Sequence, residues 1–383
     1  MTDLAGTLEI LERLTAFDTV SRNSNLDLAA YAEGVLAGHG FRVTRLPSPC
    51  GRKTGLYAET GPAGAGVLLS AHTDVVPADG QAWTRDPFRL TREGARVYGR
   101  GTTDMKGYAA SVLALAGRAA AAELKEPLKI VLSYDEEIGC VGIQQMQDRL
   151  APLAGRPRAC IVGEPTQMQV ATGHKGKAAL RAVCRGRGGH SALAPEFTNA
   201  LHLAADFLAE LRALQADFAA NGARDAAYDV PYTTVHAGKL SGGSALNIVP
   251  DRAELAFEYR HLPADRPGDI MARIRAAADR VAARYPAPEA GIEVQQDSAY
   301  PGLGTPPDSP VAVYARALAR SPGCTKVAFG TEAGVFDRLG IPTVVCGPGS
   351  MAGQGHQPDE YLELSQLAAC DAMMDRILAD LTV

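Results

Sequence analysis

Val67-Leu68-Leu69-Ser70-Ala71 runs without interruption into His72-Thr73-Asp74-Val75-Val76-Pro77. A short, mostly apolar run bounded by turn formers reads as a buried strand. Its C-terminal end is polar and carries an imidazole and a carboxylate two residues apart. The same arrangement recurs twice downstream. Residues 128–134 form a second apolar run, ending in Asp135-Glu136-Glu137, and residues 159–163 a third, ending in Glu164-Pro165. Between them, helical spacing covers 104–121 and 143–150. Alternating strands and helices predict an α/β sheet, and in such sheets ligands gather where strands end. Three polar clusters just past three buried strands therefore mark one site.

Outward from this centre, helical spacing covers 4–16 and 26–37, and strand-like runs cover 41–46 and 55–60. From Lys177 the pattern changes. A strand at 178–185, a helix at 198–214, strands at 233–237 and 253–259, a helix at 268–284 and a strand at 292–296 follow in turn. This β-α-β-β-α-β order predicts a ferredoxin-like arrangement. Beyond Pro306-Pro307 the α/β pattern resumes, with a helix at 310–319, a strand at 342–346 and a helix at 365–378. The expected fold is an α/β domain with a mixed sheet flanked by helices, interrupted by a ferredoxin-like α+β domain. The expected segments are 1–177, 178–297 and 298–383.

Composition narrows the function. Over 383 residues, 38 Lys and Arg oppose 43 Asp and Glu, a formal net charge of −5, so no cationic stripe for nucleic acid is expected. The balance of 46% hydrophobic and 21% charged residues is that of a globular protein. The longest apolar stretch, 108–117, contains Ser111 and is too short to span a bilayer. The start Met1-Thr2-Asp3-Leu4 lacks the basic start and apolar core of a secretory signal. Seven cysteines (50, 140, 160, 184, 324, 346, 370) contain no Cys-x-x-Cys pair, so neither a disulfide framework nor a zinc ribbon is expected. A cytoplasmic protein with reduced thiols is the expectation.

The clusters carry chemistry together. His72 and Asp74, two apart in an extended segment, point to one side, so one can bind a metal while the other orients it. In Gly99-Arg100-Gly101-Thr102-Thr103-Asp104-Met105-Lys106-Gly107, the glycines permit tight backbone geometry. Asp104 stands where a helix begins, and an N-cap is the competing reading. Adjacent carboxylates such as Asp135-Glu136-Glu137 repel one another unless they are solvated or hold a cation. Glu164 and the loop from Gly347 to His356 complete the set. Each cluster alone also fits a surface turn. Together, two histidines and three carboxylates with spare acids suit hard-to-borderline dications without any thiolate. Two ions roughly 3.5–4 Å apart can share a carboxylate and a water, generate hydroxide near neutral pH and polarise a carbonyl. The spare glutamate is then the general base.

The motifs around His72, Asp104, Glu137 and Glu164, with Gly189-His190-Ser191 and the closing His356, resemble the co-catalytic metallopeptidase family. That family includes acetylornithine deacetylases, succinyl-diaminopimelate desuccinylases, aminoacylases and glutamate-type carboxypeptidases. The resemblance spans nearly the whole chain. It implies two divalent ions, zinc or cobalt, and an inserted lid domain that makes the protein a homodimer. It implies that His72 and Glu164 share one ion, that Glu137 and His356 share the other, and that Asp104 bridges them. It further implies that Asp74 is the partner of His72 and that Glu136 carries the proton from the bridging water to the leaving amine. His190 is implied to cross from the second subunit and stabilise the oxyanion, which makes lid closure part of catalysis.

Trp83-Thr84-Arg85-Asp86-Pro87-Phe88, Phe329-Gly330-Thr331-Glu332-Ala333, the run 347–363 and His174-Lys175-Gly176 are most similar to the acetylornithine deacetylase branch. That branch implies a small N-acyl amino acid as substrate and release of acetate from N2-acetyl-L-ornithine in arginine biosynthesis. At the matching position, Arg260 suits a bidentate grip on the α-carboxylate. Asn247 is a donor to the carbonyl or carboxylate, and Glu332 a partner for the side-chain ammonium, with a plain loop acid as the competing reading. Tyr259 and His261 beside Arg260, and Cys140 after the acidic run, depart from the branch's pattern. The alternatives are a desuccinylase, another N-acyl-amino-acid deacylase, or a metallo-carboxypeptidase or dipeptidase of the same family. A non-catalytic binding protein would be expected to lack a ligand or the base, and none is lacking. Residues 173–178 imitate a phosphate loop, but Ala171 and Ala178 stand where Gly and Ser/Thr are needed. No cysteine has an identifiable base.

Overall fold

The computed structural model describes residues 4–285 and 287–382; residues 1–3, read above for a leader, lie outside them. The chain divides into two compact units. The first takes in the chain through Gly173, then Leu303–Val327 and Thr331 onward; the second takes in His174–Gly302 and a short return at Ala328–Gly330. The edges expected at 177/178 and 297/298 fall a few residues inside the second unit.

The first unit is built on a nine-stranded mixed sheet. Its path runs Arg42–Pro47, Thr54–Thr60, Leu128–Ser133, Val67–His72, Ala159–Pro165, Thr343–Gly347, Val170–His174 and Leu303–Gly304, with Cys324–Val327 paired off Val170–His174. The three strands that led the sequence reading are adjacent and parallel, with Val67–His72 between the other two. Their C-terminal ends therefore lie side by side. Val67, Leu69, Ile130 and Ile161 are fully buried, as expected of parallel strands covered on both faces. Helices Ala5–Thr15, Gly107–Ala120 and Leu364–Thr382 pack together against this core.

Two local features depart from expectation. The helix expected over 104–121 begins only at Gly107. Thr102–Lys106 is a tight turn in which Asp104 (φ −122°, ψ 92°) and Met105 (φ −134°, ψ 35°) are not helical. The Thr103 and Asp104 amides bond to a side chain, Glu360, where a helix would use backbone carbonyls. A three-stranded sheet of Thr91–Glu93, Arg96–Tyr98 and Tyr361–Glu363 was also not anticipated. Its strands are three residues long, too short to show an apolar period.

The second unit is a four-stranded antiparallel sheet ordered Thr234–Gly242, Arg252–His261, Gly176–Arg185, Gly291–Tyr300. Helices Ala200–Asn221 and Pro267–Ala282 cover it, which is the ferredoxin-like order. Leu180, Phe207, Leu211, Phe257, Ile274 and Val281 make its core. All seven cysteines are free thiols. Among the described residues, no helix is long and apolar enough to cross a membrane.

Candidate metal centre

The strand ends of the first unit carry His72, Glu136, Glu137 and Glu164, and the turn at 102–106 and the loop after Thr343–Gly347 bring Asp104 and His356 to them. His72 is 1% exposed. Its Nε2 lies 3.0 Å from Asp104 Oδ1 and 3.8 Å from Glu164 Oε1. His356 Nε2 lies 3.1 Å from Asp104 Oδ2 and 3.0 Å from Glu137 Oε2. Asp104 thus presents one carboxylate oxygen to each histidine. Ligand atoms of His72, Glu136 and Glu164 fall within 4.8 Å of one another, as do those of His72, Asp104 and Glu137.

Supporting bonds set the orientations. His72 Nδ1 donates to the Asp74 carbonyl oxygen at 2.9 Å. That fixes the tautomer and leaves the Nε2 lone pair for a metal. The Asp74 carboxylate is 3.6 Å from the same ring and is engaged elsewhere. It accepts from Ser21 Oγ (2.7 Å) and from the amides of Glu136 (3.1 Å) and Glu137 (3.3 Å). Asp74 therefore orients the acidic turn as well as His72. Asp135 is paired with Lys53 and is spent there. Cys140 Sγ donates to Glu136 Oε1 at 3.2 Å.

The electrostatics are those of crowded, desolvated acids. Burial, with the charges of Asp104 and Glu136 added, raises the Glu164 carboxyl. Burial and the Asp104 charge push Glu137 up to about 7. Burial likewise raises Glu136, against the pull of His72. Burial alone would lower the His356 imidazole, but Asp104 and Glu137 raise it to about 10. Glu164 Oε1 is buried with no hydrogen-bond partner among the described residues. So many carboxylates in one interior are costly without cationic charge. Two imidazoles, three carboxylates and an orphaned buried oxygen fit a pair of divalent ions.

Of the other expected site residues, His190, Asn247 and Arg260 belong to the second unit and Glu332 to the first. In the second unit, Gly189–His190 pairs antiparallel with Ile248–Val249, and Ser191 N donates to Asn247 O at 3.0 Å, so His190 and Asn247 are neighbours. Exposed His190 accepts from Ala192 N at Nδ1, which puts its proton on Nε2, the form that can donate. Arg260 is half-buried, and its Nε donates to Glu258 at 2.9 Å. Glu332 is in the first unit and only 1% exposed, with Ser70 and Ser133 beside it; burial pushes it up to about 7. An ammonium would have to leave water entirely to reach it, so its position does not support the contact expected from sequence. Sequence reasoning missed Ser21, Arg100 and Glu360. The signal for the last two was present, since both are charged residues inside the site motifs with no chemistry assigned to them.

Residues 68–380 match the model of peptidase family M20/M25/M40. The chain is 35% identical over 376 residues to an acetylornithine deacetylase of Myxococcus xanthus, covering 96% of each. It is 34% identical over 363 residues to an acetylornithine deacetylase of Salmonella paratyphi B, covering 93% of this chain and 92% of the relative. Among solved structures, an M20 family metallo-carboxypeptidase of Sulfolobus solfataricus superposes with a TM-score of 0.80 at 20% identity over 99% of both chains. A dinuclear metal binding peptidase of Bacillus subtilis superposes with a TM-score of 0.70 at 17% identity over 98% of both. At those identities the structural likeness speaks for the fold alone.

Proposed function

We propose, for a chain that belongs to peptidase family M20/M25/M40, metal-dependent hydrolysis of the amide of an N-acyl amino acid. The substrate in this reading is N2-acetyl-L-ornithine, cleaved to L-ornithine and acetate in arginine biosynthesis, in the cytoplasm and by a homodimer. The observation that carries it is the pair of Asp104 oxygens, one facing each histidine, beside a spare, half-buried glutamate, Glu136. The two curated relatives named above support the choice of substrate.

His72 and Glu164 would hold one ion, Glu137 and His356 the other, with Asp104 between them; zinc and cobalt both suit these donors. Bound there, a dication pair supplies Lewis-acid polarisation of the acyl carbonyl and a lowered water pKa. Glu136 does the proton work. It takes the proton of the attacking water and returns it to the amine nitrogen as the C–N bond breaks. Its burial favours the protonated form that the second step needs. Asp74 keeps the His72 ring and the Glu136 amide in register. His190 of the second copy, with its proton on Nε2, would meet the oxyanion. Arg260 and Asn247 would hold the substrate's carboxylate and carbonyl.

A substrate panel ranked by kcat/KM tests this reading: acetylornithine, succinyl-diaminopimelate, acetylcitrulline and short peptides. Acetylornithine is expected first. Preference for the succinyl compound or a dipeptide by tenfold would overturn the substrate. Glu136→Gln is the control, expected to keep its metals and lose turnover.

A further inference from the structure

We infer that Arg100 and Glu360, neither of them a ligand, act as a positioning clamp that holds Asp104 and His356 in ligating register and so sets metal affinity. The inference rests on the metal reading above, and it starts from an unusual density of bonds on one buried carboxylate. Glu360 is 1% exposed. Its Oε2 accepts from Arg100 Nη1 at 2.7 Å and from the Gly101 amide at 3.0 Å. Its Oε1 accepts from the amides of Thr103 (2.9 Å) and Asp104 (3.1 Å). Its own carbonyl accepts from the Gly99 amide at 2.9 Å.

These bonds replace the ones a helix would have made, and they explain why residues 102–106 form a turn. Gly101, at φ 84°, has the left-handed backbone that lets its amide turn inward; a Cβ there would lie 2.7 Å from Val75. The carboxylate that faces both histidines is thus held by its own amide to a residue 256 positions away.

Arg100, also 1% exposed, extends the clamp to the other ligand loops. Nη2 donates to the Pro77 carbonyl (3.3 Å), on the loop that leaves His72, and to Gln81 Oε1. Nη1 also reaches the Gln357 carbonyl at 3.4 Å. Gln81 Nε2 donates to the His356 carbonyl at 2.9 Å, and the Trp83 ring lies 5.0 Å from the guanidinium carbon. One guanidinium and one carboxylate therefore join the loops that carry His72, Asp104 and His356. Ligand distances tolerate only about 0.2 Å of error. Outer partners of metal ligands commonly contribute ten- to a hundredfold in affinity.

The test compares the full-length wild type with Glu360→Gln and with the milder Gln81→Leu, which cuts only the tie to the His356 carbonyl. Competitive zinc titration gives affinity, visible absorption of the cobalt-loaded protein reports ligand geometry, and circular dichroism of the metal-free protein reports folding. The expected result is a folded Glu360→Gln with both ions bound at least tenfold more weakly and an altered cobalt spectrum. Its kcat should fall more than its KM changes, with partial recovery in excess metal. Gln81→Leu should show a smaller loss in the same direction, and it decides the matter if Glu360→Gln does not fold. Two ions bound with wild-type affinity and an unchanged spectrum in the folded variants would overturn the clamp. A wild type that binds no metal overturns both clamp and function. One that binds two ions yet hydrolyses nothing in the panel overturns the function alone.

Discussion

Three consecutive acids, Asp135, Glu136 and Glu137, reach three different fates. Lys53 takes the first, the Cys140 thiol donates to the second, and His356 meets the third. Sequence shows the run and its mutual repulsion, but only the partners decide which acid is spent in an ion pair and which are left free for other chemistry. Histidines divide in the same way. His174 is fully buried, its Nδ1 bonded to the Lys175 carbonyl at 3.0 Å and its Nε2 unpartnered among the described residues. Burial, against that bond, pulls it down to about 4. The folded value lies below the unfolded one, so its contribution is complete above pH 6.5 and is lost as pH falls from there toward 4. The full loss is about 3 kcal/mol. In metal-free protein, His174→Gln should flatten the fall in urea midpoint between pH 7.5 and pH 4.5 relative to wild type. Parallel curves for the two proteins would contradict this.

At the scale of elements, the long periodic segments were readable and the short ones were not. The strand Ala159–Pro165 and the helix Gly107–Ala120 meet where Gly163 faces Tyr108; a Cβ on Gly163 would lie 2.0 Å from that ring. Tyr108 is fully buried with its hydroxyl donating to the Ile161 carbonyl, so it has little room to withdraw. Gly163→Ala is expected to cost roughly 1–3 kcal/mol by overpacking, and to lower activity because Glu164 is the next residue. Unfolding in urea measures the first effect, and an unchanged midpoint would show that the helix backs away freely. The turn at 102–106 defeated a periodicity argument for a related reason. Its amides satisfy Glu360, far away in sequence, and no local pattern announces such a partner.

For the molecule as a whole, metals link stability to chemistry. Two dications would set four positive charges against a formal net charge of −5, concentrated where buried carboxylates repel. An ion present at a hundredfold excess over its Kd stabilises the folded state by about 2.7 kcal/mol. Chelation should therefore abolish hydrolysis and lower the unfolding midpoint, with zinc or cobalt restoring both; full hydrolysis after verified metal removal would refute the mechanism. The sequence by itself determined the α/β alternation, the ferredoxin-like insertion and the residues able to ligate. Those follow from apolar period and from side-chain chemistry, which are local properties. Only the tertiary structure decided that each Asp104 oxygen faces a different histidine, that Asp74 serves the acidic turn, that Glu332 is sealed inside, and that Arg100 and Glu360 tie three loops together. Those are contacts between residues far apart in the chain, formed when parallel strands end side by side, and no spacing along the chain encodes them.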